Sequence, residues 1–185
     1  ILGMAMPFPA YADPLEDLNS EKLAVSLVVD TSGSMIGTDP DMLRRRVADI
    51  FIEMLNPDDY LGMVIFNSEV TLAVPPQNME GQAVRESFRE SIQDRLQGTA
   101  DTDYAQALSA AENQLDGITD SDARKLIIFL TDGRPDPDPV NVAPGSPQML
   151  AYMDTLWTRT ESIGEKGYPV YSIGFSEDID VEILN

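Results

Sequence analysis

Leu23-Ala24-Val25-Ser26-Leu27-Val28-Val29 is an almost unbroken apolar run that stops at Asp30. A short run of this kind, rich in β-branched residues and closed by a polar turn, reads as a central strand covered on both faces. Leu126-Ile127-Ile128-Phe129-Leu130 repeats the pattern and again ends at an acidic turn, Thr131-Asp132-Gly133. Two such strands, separated by helical patterns, call for a parallel sheet.

The intervening segments fill in that sheet. After Gly33 and Gly37, Leu43, Val47, Ile50, Phe51 and Met54 recur at helical spacing and stop before Asn56-Pro57. Tyr60 to Phe66 is a strand, and Val70 to Val74 is another, joined by the turn Asn67-Ser68-Glu69 into an antiparallel hairpin. Pro75-Pro76 is expected to end it. Val84, Phe88, Ile92 and Leu96 form a narrow helical stripe. Tyr104 to Leu115 is a helix of small residues, suited to close packing on a sheet. Asp136 to Ser146 is a Pro-rich loop, and Ser146-Pro147 opens a helix as N-cap and first-turn proline. Met149, Leu150, Met153, Leu156 and Trp157 are the expected apolar face of that helix, with Trp157 buried. Tyr168 to Phe175 is a last strand, and Asp178 to Asn185 starts a further helix. The fold class is α/β: a doubly wound, mostly parallel sheet with one antiparallel edge strand and helices on both faces.

Composition narrows the function. The 185 residues hold 43% hydrophobic and 24% charged residues, enough apolar surface for one packed domain. There is no Cys, hence no disulfide framework, thiolate zinc site or Cys nucleophile. There is no His, hence no Ser-His-Asp triad and no HExxH zinc site. Acidic residues outnumber basic ones 32 to 12, and the net charge of −20 disfavours nucleic acid and anionic lipid. The one basic cluster, Arg44-Arg45-Arg46, reads as a solvated helix face. No run of roughly 18 apolar residues offers a membrane span. Residues 1–20 are read as a leader, with 21–185 as the domain. Ala10-Tyr11-Ala12 resembles an export cleavage site, which makes the leader either the tail of an export signal or a disordered linker. An extracytoplasmic location is therefore favoured over a cytoplasmic one.

Ligands of such sheets sit beyond the carboxyl ends of the strands. Three segments should meet there: Asp30-Thr31-Ser32-Gly33-Ser34, Gly98-Thr99-Ala100-Asp101-Thr102-Asp103 and Thr131-Asp132-Gly133. They bring carboxylates and hydroxyls together without soft ligands, a set suited to Mg²⁺ or Mn²⁺, with Ca²⁺ also compatible, rather than Zn²⁺ or Cu²⁺.

At these residues the chain resembles a von Willebrand factor type A (VWA) domain of the bacterial type with a metal-ion-dependent adhesion site. The resemblance rests on Asp30, Ser32 and Ser34 as Asp-x-Ser-x-Ser, on Thr102 before a helix, and on Asp132 in Thr-Asp-Gly. It covers about Leu23 to Asn185, and Val29 to Met35, Leu130 to Gly133 and Ser172 to Phe175 also match. It implies that Ser32, Ser34 and Thr102 offer hydroxyls to a metal, with Thr99 as the alternative to Thr102. It implies that Asp30 and Asp132 hold metal-bound waters or bind directly. An ion held mostly by neutral hydroxyls keeps positive charge and can accept a carboxylate from a partner protein. The implied function is a non-enzymatic adhesion or assembly module, with Mg²⁺ the expected ion. The family's sixth strand and last helix are expected to be missing after Phe175.

Asp39, Asp41, Asp101, Asp103, Asp136 and Asp138 are expected to form an acidic rim, with Asp103, Asp136 and Asp138 the candidate partner-binding positions. Such a rim favours a partner carboxylate set in a basic surround, and reversing Asp136 and Asp138 to Lys should change the on-rate. An alternative function is a substrate-coupling subunit of an ATP-driven assembly, although the chain has no GxxxxGK[ST] loop of its own. A Mg²⁺-dependent phosphoryl hydrolase fits less well, because the second Asp of an aspartyl-phosphate motif is replaced by Ser32.

Overall fold

The computed structural model describes residues 21–93, 101–133, 135–137, 143 and 145–175. The leader, Thr99, Leu96, Asp138 and the 178–185 helix start lie outside the described residues. Five strands, β1 (Leu23–Asp30), β2 (Tyr60–Phe66), β3 (Val70–Asn78), β4 (Arg124–Thr131) and β5 (Val170–Gly174), form one sheet in the order β3-β2-β1-β4-β5. β1 pairs in parallel with β2 and β4, and β4 with β5, while β2 and β3 are antiparallel. Seven of the eight β1 residues are buried, as its apolar run requires for a strand at the centre of the sheet.

Helices cover both faces. They are α1 (Met35–Thr38), α2 (Leu43–Met54), α3 (Gln82–Gln93), α4 (Tyr104–Asp116) and α5 (Pro147–Glu165). One core layer joins Val28, Val64, Phe66 and Phe129 of the sheet to Ala107, Leu108, Ala111 and Leu115 of α4 and to Leu156 and Ile163 of α5. The other joins Leu27, Val29, Met63, Ile65 and Leu130 to Ala48 and Ile52 of α2 and to Phe88 and Ile92 of α3. Among the described residues no helix is long and apolar enough to cross a membrane.

Small residues let α4 come close to the sheet, as their spacing suggests. The approach is close at Gly62, where an added Cβ would stand 2.4 Å from Gln114 Oε1. Gln114 uses that space to cross three strands. Its Oε1 accepts from Ser26 Oγ at 2.8 Å, and its Nε2 donates to the carbonyls of Met63 at 3.1 Å and Val74 at 2.8 Å.

Three expectations need correction. β3 runs through Pro75-Pro76 to Asn78 rather than stopping at Val74, with a register shift opposite Leu61 and Met63. An edge strand tolerates proline because one side of it has no ladder to lose. In α2 the buried line is Arg44, Ala48 and Ile52, while Leu43, Ile50 and Met54 are exposed. Arg44 is thus not on a solvated face. It is 2% exposed and reaches Asp39 Oδ2 at 2.9 Å. That buried pair turns the helix, and Asp39 also accepts from the Leu43 and Arg44 amides at its start. In α5, Trp157 is 69% exposed and Leu150 is also exposed. The helix is turned so that Arg159, Ser162 and Lys166 all reach Glu112 of α4, at 2.6, 2.7 and 2.7 Å.

Candidate functional site

β1 and β4 are adjacent, and their registers bring Asp30 and Thr131 to the same edge of the sheet. Asp30 is fully buried, and Ser32 and Asp132 are almost so. The Asp30 carboxylate accepts from the Ser32 amide at 2.8 Å on one oxygen and from Thr131 Oγ1 at 2.7 Å on the other. Burial pushes its pKa up to about 6. The hydrogen bonds from Thr131 and Ser32 pull it back in part, and the Asp132 charge adds to the rise.

The hydroxyls line up between the two carboxylates. Ser32 Oγ and Ser34 Oγ are 3.1 Å apart, and Ser34 Oγ donates to Asp132 Oδ1 at 3.0 Å. Ser34 is exposed, so the row opens to solvent on that side. The turn that carries the serines is held down by Thr31, whose amide and hydroxyl both donate to the Phe66 carbonyl, at 2.8 and 2.9 Å.

Thr102 arrives from the third segment. It is buried, and its backbone pairs with that of Asp136 through hydrogen bonds of 2.8 and 3.0 Å. Asp136 is thereby fixed next to Thr102 and remains partly exposed. Asp103 caps α4, accepting from the Gln106 amide at 3.1 Å, and also takes bonds from the Gln106 side chain and Tyr152. Asp39 and Asp101 are buried rather than lying on a solvent-facing rim, whereas Asp41 is exposed.

Two groups at the site were not anticipated. Thr38, at the end of α1, places Oγ1 against Asp132 Oδ2 and 3.1 Å from the Ser34 carbonyl. Its signal in the sequence is its spacing, four residues or one helical turn after Ser34. The Tyr104 phenol reaches Thr131 Oγ1 and the Gly133 carbonyl, each at 2.6 Å. Its signal is an aromatic residue with a polar tip at the head of a helix whose sheet-facing positions include the small Ala107 and Ala111.

The donors that meet here are hard oxygens: two carboxylates and the hydroxyls of Ser32, Ser34 and Thr38. Among the described residues no three His, Cys, Asp or Glu side chains gather into an ion site. The donor set therefore fits a hard divalent ion held largely through hydroxyls and water.

The sequence model of the von Willebrand factor type A domain family matches residues 25–185. The chain belongs to the VWA domain family. No curated protein matches it in sequence. Solved structures show the same fold. A von Willebrand factor type A protein from Catenulispora acidiphila aligns with TM-score 0.67 and 21% identity, over 89% of this chain and 35% of that one. Proximal thread matrix protein 1 from the mussel byssus, described with a zinc-occupied MIDAS motif, aligns with TM-score 0.64 and 18% identity, over 89% and 40%. The manganese-loaded TRAP protein of Plasmodium vivax aligns with TM-score 0.60 and 17% identity, over 88% and 61%. This VWA domain thus spans about a third to three-fifths of the length of those proteins.

Proposed function

We propose that this VWA domain is a non-enzymatic protein-binding module whose binding depends on a divalent cation. The observation that carries the reading is the row Ser32 Oγ, Ser34 Oγ and Asp132 Oδ1, spaced at 3.1 and 3.0 Å and lying beside the buried carboxylate of Asp30. Ser32, Ser34, Asp30, Asp132 and Thr102 are the residues that would hold the ion, with Mg²⁺ the first choice and Mn²⁺ or Ca²⁺ compatible. The ion would supply positive charge at an open position, where a partner's carboxylate can bind. The zinc and manganese named for two fold relatives support a divalent ion in this kind of site.

The chain's own residues set the rest of the chemistry. Thr31 anchors the serine turn, so the hydroxyls keep their spacing without help from a partner. Asp132 is held by Ser34 and Thr38, which limits the rotation of its carboxylate. The excess of 20 negative charges repels acidic surfaces at long range, which favours a partner carboxylate embedded among Lys and Arg.

Capture on immobilised peptides tests the reading. A peptide with one Glu among lysines should retain the protein in Mg²⁺ and release it in EDTA. The Gln version of the peptide and the Asp132→Ala protein should both fail to bind. Equal retention in EDTA would overturn the proposal.

A further inference from the structure

We propose that Tyr104 is a positioning residue for this site, one phenol that ties both carboxylate-bearing segments in place. The inference rests on the reading of Asp30 and Asp132 as ion-holding residues and goes beyond the residues of the family motif.

The proton count is decisive. Thr131 gives its hydroxyl proton to Asp30 Oδ2 at 2.7 Å, so toward its other neighbours Thr131 Oγ1 is an acceptor. Those neighbours are the Tyr104 hydroxyl at 2.6 Å and the Gly133 amide at 3.3 Å. Tyr104 is therefore the donor, with one proton facing two acceptors, Thr131 Oγ1 and the Gly133 carbonyl, at 2.6 Å each. The first contact orients the hydroxyl that fixes Asp30. The second closes the Thr131-Asp132-Gly133 turn that presents Asp132.

The ring is also fixed. Tyr104 is buried, packs edge-on to Phe129 with centroids 4.9 Å apart, and meets Phe66 at 6.0 Å. The phenol thus has one place to be, and it reaches there from the residue two positions after Thr102. A single side chain joins the start of α4 to the ends of β2 and β4, and through Thr131 to Asp30 at the end of β1. Partners that orient metal-holding groups typically change metal affinity 10- to 100-fold when removed.

Tyr104→Phe keeps the ring and removes only the donor. Calorimetric titration with Mg²⁺ and Mn²⁺ should show affinity reduced by about tenfold. Thr131→Val should do the same, Thr131→Ser should bind like the parent, and Tyr104→Phe with Thr131→Val should lose less than the sum of the two single losses, because only the Gly133 contact is then left for the phenol to lose. The electron paramagnetic resonance spectrum of bound Mn²⁺ should broaden in Tyr104→Phe, a change that loss of core packing elsewhere would not produce. Parent-like affinity in Tyr104→Phe would overturn the proposal, as would additive losses in the double variant. Failure of the parent protein to bind either ion would instead remove the ion reading beneath it.

Discussion

Gly62→Ala tests whether the close approach of α4 to the sheet is specific. The new Cβ would stand 2.4 Å from Gln114 Oε1, 3.0 Å from its Cδ and 3.1 Å from Pro76 Cγ. Gln114 must swing away, and it then loses its bonds to Ser26, Met63 and Val74. At about 1 kcal/mol net for each hydrogen bond, the loss is about 3 kcal/mol. Replacing a strand glycine returns about 0.5–1 kcal/mol of backbone entropy. The expected cost is therefore about 2 kcal/mol. In a Gln114→Ala background only the contact with Pro76 remains, and the same substitution should cost less than about 0.5 kcal/mol. Urea unfolding of the four proteins at neutral pH reads the coupling directly. A cost for Gly62→Ala that is the same in both backgrounds would refute the reasoning.

Other substitutions probe the buried charges. Arg44→Met leaves the Asp39 carboxylate buried without its guanidinium and should cost about 3 kcal/mol, while Arg44→Met with Asp39→Asn should recover at least about 1 kcal/mol by urea unfolding. At Glu112 burial pulls the pKa up, but the bonds from Lys166, Ser162 and Arg159 outweigh it and hold the pKa near about 2, below its ordinary 4.5. A carboxylate lowered on folding adds stability that is fully present above pH 4.5 and is lost as the pH falls toward 2. After discounting for solvent around the two cations, the effect is about 1 kcal/mol, so the gap between the parent and Glu112→Gln should close by that amount between pH 5 and pH 2.5 in urea midpoints. Ser34→Ala should remove the hydroxyl that joins Ser32 to Asp132 while changing unfolding free energy by less than about 1 kcal/mol, because Ser34 is exposed.

The sheet was legible because its signals are local. An apolar run such as Leu23–Val29 has no stable place except between two layers, and an Asp at its end marks where the chain leaves the sheet. That Asp30, Ser32, Ser34 and Asp132 come together was legible for the same reason, since strand ends converge at one edge of a parallel sheet. The helix phases of α2 and α5 were not, because each is set by charged side chains that turn inward, in α2 to Asp39 just before the helix and in α5 to Glu112 on another helix. Apolar periodicity assigns Arg44 to solvent, and only the approach of Asp39 reverses that. Similarly, nothing local shows that Glu112 collects three side chains from a helix some 50 residues further on. Thr38 and Tyr104 escaped notice because a hydroxyl's role is defined by its partners, here 94 and 27 residues away.

Direct titration of the EDTA-stripped protein with Mg²⁺, Mn²⁺, Ca²⁺ and Zn²⁺ by calorimetry, beside Asp30→Ala and Ser32→Ala, tests the central claim most directly. The account predicts saturable binding of one Mg²⁺ or Mn²⁺ per chain, lost in both variants. Absence of binding, or binding unchanged in the variants, would contradict it.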